Sequence, residues 1–199
     1  LEMISNIVPQ GVSCAYVRQP EALGLGHAVL CAQSVVGDEH FAVILADDLI
    51  WTEGRVCLAQ MVAVAEEHSA SVLGVQEIAS HDTDKYGVVG VRPITPRVSS
   101  VHTIIEKPAA SDAPSSLGVV GRYILSPEIF GLLARIDRGA GGEIQLTDAI
   151  AELLHKQKVV AYRFEGQRYD CGDKLGYLQA TVEYALRHPG LKEGFREYL

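Results

Sequence analysis

Two acidic residues, Asp47 and Asp48, directly follow an unbroken apolar run from Phe41 to Ala46. Such a run is typical of a β-strand buried on both faces. In parallel α/β sheets, ligands bind beyond the carboxyl ends of the strands. Mg²⁺ typically takes one or two protein carboxylates and completes its shell with water and phosphate oxygens. We therefore predict Asp47 as a Mg²⁺ ligand, whereas capping of the following turn is the favoured alternative for Asp48.

A glycine pair, Gly24 and Gly26, stands between an apolar stretch and a helical pattern. Glycines let the backbone approach a ligand closely, and the free N–H groups of a helix N-terminus favour anionic or polar groups. The pair lacks the third glycine and the downstream acid of a dinucleotide-binding motif, so we do not interpret it as one. His27 follows directly, and packing on the helix face is its favoured role.

An acid and a base stand side by side at Glu106 and Lys107, where Pro108 ends an apolar run. The carboxylate can accept hydrogen bonds from hydroxyl groups, and the ammonium can attract a phosphate. A solvated surface pair is the plainer alternative. Glu143 follows two glycines at the start of a helical pattern, where a carboxylate also suits the helix dipole.

Two further acids, Asp170 and Asp173, lie at the junction before the last long helical pattern. Asp173 is a credible N-cap for that helix. Asp170 has no comparable structural use, so we predict it as a second metal contact.

Apolar runs of strand length alternate with helical patterns along most of the chain, which is typical of βα units and a largely parallel sheet. We predict strands over 13–18, 41–46, 71–77, 86–91, 101–106, 119–125 and 159–164. We predict a helix beginning at Gly24 and helices over 55–68, 127–136, 145–156 and 174–188. No repeat or linker-like tract interrupts the pattern, so we expect one α/β domain over residues 1–199.

The composition fits a globular protein with a real core: 199 residues, of which 48% are hydrophobic and 21% are charged. A formal net charge of −8 disfavours nucleic-acid binding, because phosphate backbones are bound by basic faces. No apolar run reaches the roughly 20 residues of a membrane span, so no membrane partner is expected.

The four cysteines, Cys14, Cys31, Cys57 and Cys171, form no C-x-x-C pair. We predict structural thiols, which fits a reducing cytoplasm. The sequence opens with Leu1, Glu2 and Met3 instead of an initiator Met, and we expect it to be a fragment.

Seven segments together carry a resemblance to a known family. They are QPEALGLGHAVLCA (19–32), VILADDLI (43–50), DKYGVVG (84–90), IIEKP (104–108), VVGRYIL (119–125), GGEIQLTDAI (141–150) and DCGDKLGYLQA (170–180). In this combination and order the sequence resembles the bacterial UTP-glucose-1-phosphate uridylyltransferases, within the wider sugar-1-phosphate nucleotidyltransferases. The resemblance implies a Rossmann-like, mostly parallel mixed sheet flanked by helices, of the nucleotide-diphospho-sugar transferase type and lacking its N-terminal strands.

The resemblance also implies a role for each matched residue. Gln19 and Gly24 match the contacts to the pyrimidine base. Asp47 matches the Mg²⁺ ligand, and Asp170 matches a second carboxylate on the metal. Lys107 matches the cation on the sugar phosphate, to which Lys174 would add, so that Lys107 and Asp47 are the expected catalytic residues. The positions that match the sugar pocket are Gly87, Glu106, Val119, Tyr123 and Glu143.

The implied reaction transfers a uridylyl group from UTP to glucose 1-phosphate, giving UDP-glucose and pyrophosphate. A thymidylyl- or cytidylyltransferase of the same family is the close alternative, although GLGHAV and GGEIQLTDAI favour the uridylyl type. The glycine-rich G-x-G-T-R loop and Pro-Lys element of the family do not occur in the sequence. We therefore expect the chain to keep a sugar-phosphate pocket but to turn over poorly, and a non-catalytic remnant stays a second alternative. Uncovered strand edges favour a homo-oligomer.

Overall fold

The computed structural model describes residues 11–199, and Leu1, Glu2 and Met3 lie outside this range. The helices in the described range are α1 (Gly24–Cys31), α2 (Gln33–Val36), α3 (Cys57–His68), α4 (Glu128–Leu133), α5 (Leu146–Leu153), α6 (Lys174–Arg187) and α7 (Lys192–Tyr198). Two 3₁₀ segments cover Ser80–Lys85 and Ala140–Gly142. The strands are β1 (Phe41–Ile44), β2 (Asp48–Trp51), β3 (Ser71–Glu77), β4 (Gly87–Pro93), β5 (Val98–Glu106), β6 (Leu117–Leu125), β7 (Val159–Arg163) and β8 (Gln167–Asp170).

Six strands form one mixed sheet in the order β1-β6-β3-β7-β5-β4, and β4 also pairs with β6 through Val88 and Gly118. The prediction of a mixed sheet flanked by helices is confirmed. The prediction of mostly parallel pairing is wrong for the described strands, because only β3 and β7 run parallel. The short connection between β4 and β5 enforces an antiparallel pair, since parallel neighbours need a long crossover.

Apolar side chains cover both faces of this sheet. Successive strand residues point to opposite faces, so Val72 packs with Met61 of α3 on one side and Leu73 packs with Ile150 of α5 on the other. Helix α5 buries a complete stripe at helical spacing, consisting of Leu146, Ala149, Ile150 and Leu153. The two helix layers therefore fix the sheet that carries the candidate site.

Two strand predictions need correction. Residues 13–18 form no strand, and Tyr16 in this segment is 98% exposed, because the described chain offers no neighbour for it to pair with. Strand β1 forms as predicted but is not buried on both faces, since Ile44 is 54% exposed. Among the described strands, β1 pairs with β6 alone, which leaves it at the edge of the sheet.

A separate antiparallel pair of strands, β2 and β8, was not predicted from the sequence. It joins the segment after β1 to the segment before α6, and Asp48 and Asp170 are register partners in it. This pair brings the acidic residues of two distant stretches together. Within residues 11–199, no helix has the length and apolar character needed to cross a membrane.

Candidate active site

A cavity of about 360 Å³ gathers side chains from most of the segments singled out in the sequence. Eight of the predicted site residues lie in its lining: Asp47, Gly87, Glu106, Lys107, Val119, Tyr123, Glu143 and Asp170. Asp47 and Lys107, which are 60 positions apart in sequence numbering, therefore face one shared cavity. Gln19, Gly24 and Lys174 are not in its lining.

The acidic end of the cavity is formed by Asp47 and Asp170. The backbone oxygen of Asp47 accepts a hydrogen bond of 2.7 Å from the N–H of Cys171, which holds the two acidic segments together. Gly172 lies between the carboxylates: a Cβ there would sit 3.1 Å from Asp170 Oδ1 and 3.2 Å from Asp47 Oδ2. The pKa of the Cys171 thiol is raised, first by burial and then by the negative charge of Asp170, Asp48 and Asp47.

The donor set at this end fits Mg²⁺. Among residues 11–199, no three His, Cys, Asp or Glu side chains are grouped to hold a metal ion. Two carboxylates are nevertheless enough for Mg²⁺, because this ion keeps several waters and binds substrate phosphates. Asp47 and Asp170 supply oxygen donors of the required kind.

Arg168 is a buried cation beside the acidic end, and the sequence reasoning missed it. Its side chain is 8% exposed and forms ion pairs with Asp48, through Nε, and with Asp170 Oδ2 at 3.0 Å. Its Nη1 donates to the Tyr86 hydroxyl oxygen at 3.1 Å, and the guanidinium carbon lies 5.4 Å from the centre of that ring. Asp48 is not a turn cap: its Oδ2 accepts a 2.5 Å hydrogen bond from the Gly121 N–H. No spacing signal pointed to Arg168, because an isolated charged residue normally lies on the surface.

At the other end of the cavity, Glu106 and Lys107 end strand β5. Thr147 at the start of α5 donates a 2.6 Å hydrogen bond to Glu106 Oε2, and Lys107 Nζ lies 3.7 Å from Glu106 Oε1. Glu106 is therefore fixed in place, while the Lys107 side chain is 55% exposed and can reach a ligand. Gly87 is the register partner of Glu106, and a Cβ there would lie 3.1 Å from Thr147 Oγ1.

The backbone of Lys107 has a φ of +45°. A non-glycine residue rarely adopts this left-handed conformation, and such strain concentrates at functional sites. The Lys107 N–H donates a 3.0 Å hydrogen bond to the Tyr86 carbonyl oxygen, which anchors the turn. This contact keeps the ammonium-bearing residue beside the strand end that carries Glu106.

Strand β6 forms the floor of the cavity through Val119 and Tyr123. Both residues are buried. Burial, followed by the charges of Glu106 and Asp48, raises the pKa of Tyr123 far above its usual range. The phenol therefore stays neutral and keeps its hydroxyl proton at all ordinary pH values.

Helix α1 begins at Gly24 and is hydrogen-bonded to the segment that carries Glu143. The Gly26 N–H donates to the Ile144 carbonyl oxygen at 2.9 Å, and a Cβ on Gly26 would lie 2.5 Å from that oxygen. A Cβ on Gly24 would lie 2.8 Å from the Glu143 Cβ. Both glycines are thus required by close packing within the chain. A close approach of their backbone to a ligand stays a prediction. Gln19 lies beside Gly24, with its Nε2 3.1 Å from the Gly24 carbonyl oxygen.

One expected lysine lies outside the cavity, and a lysine that was not expected lines it. Lys174 is exposed at the first position of α6 and does not line the cavity. Asp173 caps this helix as predicted, accepting from the N–H groups of Leu175 and Gly176 at 2.8 and 3.2 Å. Lys85 lines the cavity instead, and its hydrogen bond to Asp82 raises its pKa.

Comparisons with known proteins identify the family of this chain. The sequence model of the Nucleotidyl transferase family matches residues 2–186. The UTP–glucose-1-phosphate uridylyltransferase of Staphylococcus epidermidis is 45% identical over 92% of the chain, and the match spans 64% of that relative's length. A UTP-bound UGPase from Acinetobacter baumannii is 44% identical with a TM-score of 0.89, covering 99% of this chain and 68% of its own. A UDP-glucose pyrophosphorylase complexed with UDP-glucose is 39% identical with a TM-score of 0.84, covering 87% and 66%.

The chain thus spans about two thirds of the length of the relatives that it matches. The family match extends over all the segments that form the cavity. The chain therefore belongs to the nucleotidyl transferase family.

Proposed function

We propose that the protein takes part in transfer of a uridylyl group from UTP to glucose 1-phosphate, giving UDP-glucose and pyrophosphate. The observation that carries the proposal is the shared cavity, in which the carboxylates of Asp47 and Asp170 face Lys107 and Glu106. The similarity to uridylyltransferases, one with UTP bound and one with UDP-glucose bound, supports the same reaction.

In this reaction an oxygen of glucose 1-phosphate attacks the α-phosphorus of UTP, and the bond from that phosphorus to pyrophosphate breaks. Phosphoryl transfer of this kind depends mainly on positioning the two anions and offsetting their charge. The Lys107 ammonium would hold the sugar phosphate. Glu106, fixed by Thr147, would accept hydrogen bonds from the sugar hydroxyls, and the neutral Tyr123 phenol would border the sugar.

Asp47 and Asp170 would hold Mg²⁺ through their carboxylates. When bound, the ion would offset the negative charge of the phosphates and help align them. Arg168 and Tyr86 both donate to Asp170 Oδ2, whereas Oδ1 accepts from the Gly172 N–H alone among the described contacts and keeps a lone pair for the metal. The positive side chains of Lys107 and Lys85 line the same cavity and would reduce repulsion between substrates and a protein of net charge −8.

We also propose that the protein self-associates. Ile44 and Ala42 are exposed on β1, whose second edge has no partner among the described strands. Apolar edge strands of this kind favour pairing with another chain. A cytoplasmic location is supported by the four free cysteines, of which Cys57 is buried and Cys14 is exposed.

Calorimetric titration of the 199-residue chain with UDP-glucose and Mg²⁺ tests the binding part of the proposal. We expect binding that Lys107→Met weakens about tenfold or more, because a charge-assisted contact to phosphate is lost. Lys158→Met, which removes an exposed lysine beside His68, is the matched control and should leave affinity unchanged. Equal affinity for UDP-glucose in both variants, or no binding by the unaltered chain, would contradict the proposal.

Pyrophosphate release from UTP and glucose 1-phosphate tests the catalytic part. We expect slow turnover, because the sequence carries no G-x-G-T-R loop to hold the triphosphate. Addition of Mg²⁺ should raise the rate, and Asp47→Asn should remove this dependence. A normal rate from the 199-residue chain would show that the loop is dispensable.

A further inference from the structure

Lys85 is a cation at the cavity to which the sequence analysis assigned no role. In the part of the chain that the structure describes, three cationic side chains line the cavity: Lys85, Lys107 and Arg168. The charge of Arg168 is already offset, because it forms ion pairs with Asp48 and Asp170. The side chains of Lys107 and Lys85 are 55% and 65% exposed, so these two ammonium groups are the ones that a ligand can reach.

The backbone on either side of Lys85 is fixed. Thr83 is 3% exposed, and its carbonyl oxygen accepts a 3.3 Å hydrogen bond from the Tyr86 N–H. The Tyr86 carbonyl oxygen accepts in turn from the Lys107 N–H at 3.0 Å, and the Tyr86 hydroxyl oxygen accepts from Arg168 Nη1 at 3.1 Å. The residue next to Lys85 thus contacts both the turn that carries Lys107 and the acidic end of the cavity.

The ammonium of Lys85 is held by Asp82, which does not line the cavity. Lys85 Nζ donates to Asp82 Oδ1 at 2.6 Å, within the same 3₁₀ segment. An ammonium carries three N–H donors, and Asp82 occupies one of them. Because an ion pair at the surface is weak, a phosphate that enters the cavity can compete with Asp82 for this ammonium.

We propose that Lys85 is a second phosphate-binding residue, which exchanges its contact with Asp82 for a contact with a phosphate of the ligand. The inference rests on the proposed function, in which a nucleotide sugar brings two adjoining phosphates to the cavity. Lys107 offsets the charge of one phosphate, and Lys85 offsets the charge of the other. Since the ion pair with Asp82 must break first, Asp82 lowers the affinity of the cavity for the ligand.

Calorimetry with UDP-glucose tests the contact itself. We expect Lys85→Met to weaken binding about fivefold or more, because a charge-assisted contact to phosphate is lost. Lys158→Met removes an exposed lysine outside the cavity and should leave the affinity unchanged. Unaltered affinity in Lys85→Met would overturn the inference.

Replacement of Asp82 has an expected effect of the opposite sign. Asp82→Asn removes the charge that competes for Lys85, so UDP-glucose should bind about two- to fivefold more tightly. In the Lys85→Met background, Asp82→Asn should leave the affinity unchanged. Tighter binding in both backgrounds would mean that the Asp82 charge acts on the ligand without Lys85. Weaker binding in Asp82→Asn would mean that Asp82 positions Lys85, and either result contradicts the exchange of partners.

Amine labelling followed by mass spectrometry examines the same contact without any substitution. UDP-glucose should protect both Lys85 and Lys107 from acetylation, whereas Lys158 should be labelled at the same rate with and without it. Labelling of Lys85 that saturating UDP-glucose leaves unchanged would contradict a direct contact.

Inorganic pyrophosphate, titrated by calorimetry, separates this inference from the proposed function. We expect pyrophosphate to bind the unaltered chain and to bind more weakly in Lys85→Met and in Lys107→Met. If pyrophosphate binding depends on Lys85 while UDP-glucose does not bind, the proposed function is wrong and the phosphate contact stands. If UDP-glucose binding depends on Lys107 while neither ligand responds to Lys85→Met, the proposed function stands and the inference is wrong.

Discussion

Asp48 lies directly opposite Asp170 in the antiparallel pair of β2 and β8. One backbone pairing therefore brings two carboxylates together at the acidic end of the cavity. Arg168, two positions before Asp170 in the same strand, forms an ion pair with each of them. Strand β8 thus supplies both Asp170 and the arginine that offsets the negative charge of the two carboxylates.

Replacement of Arg168 by Met should strongly destabilise the fold. Asp48 is 4% exposed, so its carboxylate would stay buried without a counter-charge. Removing one partner of a buried ion pair costs about 3–5 kcal/mol in the free energy of unfolding, which urea denaturation would measure. Arg163→Met, which breaks a 3.3 Å surface pair with Glu77, should cost less than about 1 kcal/mol.

The double variant Asp48→Asn with Arg168→Met separates charge from packing. It removes both charges, and the side-chain amide oxygen introduced by Asp48→Asn could still accept from the Gly121 N–H. We expect most of the stability lost in Arg168→Met to return. An equally unstable double variant would show that packing of the arginine side chain, and not the unpaired charge, is responsible.

Lys107 should show opposite effects on stability and binding when replaced by glycine. At a φ of +45°, glycine avoids the steric cost that alanine keeps, about 1 kcal/mol. Lys107→Gly should therefore unfold at higher urea concentration than Lys107→Ala, while both lose UDP-glucose affinity to the same extent. Identical stability of the two variants would mean that the backbone at this position carries no strain.

Removal of the Thr147 hydroxyl should reduce sugar binding. Thr147 donates a 2.6 Å hydrogen bond to Glu106 Oε2, and a hydrogen bond to a charged group is worth about 1.5–3 kcal/mol. In Thr147→Val we expect about tenfold weaker UDP-glucose binding, measured by calorimetry. Thr181→Val, which removes an exposed helix hydroxyl bonded to the Tyr177 carbonyl oxygen, should bind normally.

The thiol of Cys57 should make stability fall at alkaline pH. Burial raises its pKa from 9.0 to about 11, so the folded state holds this proton more tightly than the unfolded state. The contribution, about 2–3 kcal/mol, is complete below pH 9 and is lost as the pH rises to 11. The pH dependence of unfolding should be flatter in Cys57→Ala over this window.

A thiol reagent gives an independent check on Cys57. At about pH 8, below the ordinary pKa of a thiol, the exposed Cys14 should react within the folded protein, whereas Cys57 should react only on unfolding. Rapid labelling of Cys57 in the folded state would show that its enclosure opens readily.

A charge at the edge of β1 should prevent self-association. Ile44→Lys places an ammonium on an exposed edge position, which is how natural sheets avoid edge pairing. We expect light scattering after size exclusion to show a smaller species than for the unaltered chain. Ile94→Lys, at another exposed isoleucine, should keep the original mass, and an unchanged mass in Ile44→Lys would exclude this edge as the contact.

Sequence patterns predicted the elements whose side chains are apolar at regular spacing. Strand β3 was predicted with its observed limits, and α5 follows from a complete apolar stripe. The pair of β2 and β8 escaped prediction because β8 reads Gln-Arg-Tyr-Asp, with only Tyr169 buried. A strand stabilised by ion pairs lacks the apolar alternation on which such predictions depend.

The dependence on apolar patterns also explains which cavity residues could be predicted from the sequence and which could not. Asp47, Glu106 and Lys107 adjoin apolar strands, so their positions stand out in the sequence. Arg168 stabilises the site through Asp48 and Tyr86, which are 120 and 82 positions away, and through Asp170 on the same short strand. The resemblance implied Lys174 as a second cation on the sugar phosphate, but Lys174 begins a helix capped by Asp173 and does not line the cavity.

The contact between Gly26 and Ile144 has a consequence for ligand length. With only 2.5 Å between the Cβ position of Gly26 and the Ile144 oxygen, there is no room for even a methyl group, and helix α1 cannot slide past the segment that carries Glu143. Gln19 and Glu143 are thereby held at a constant separation. A ligand that touched both of them would therefore meet a spacing set by contacts of the backbone and not by side-chain rotamers.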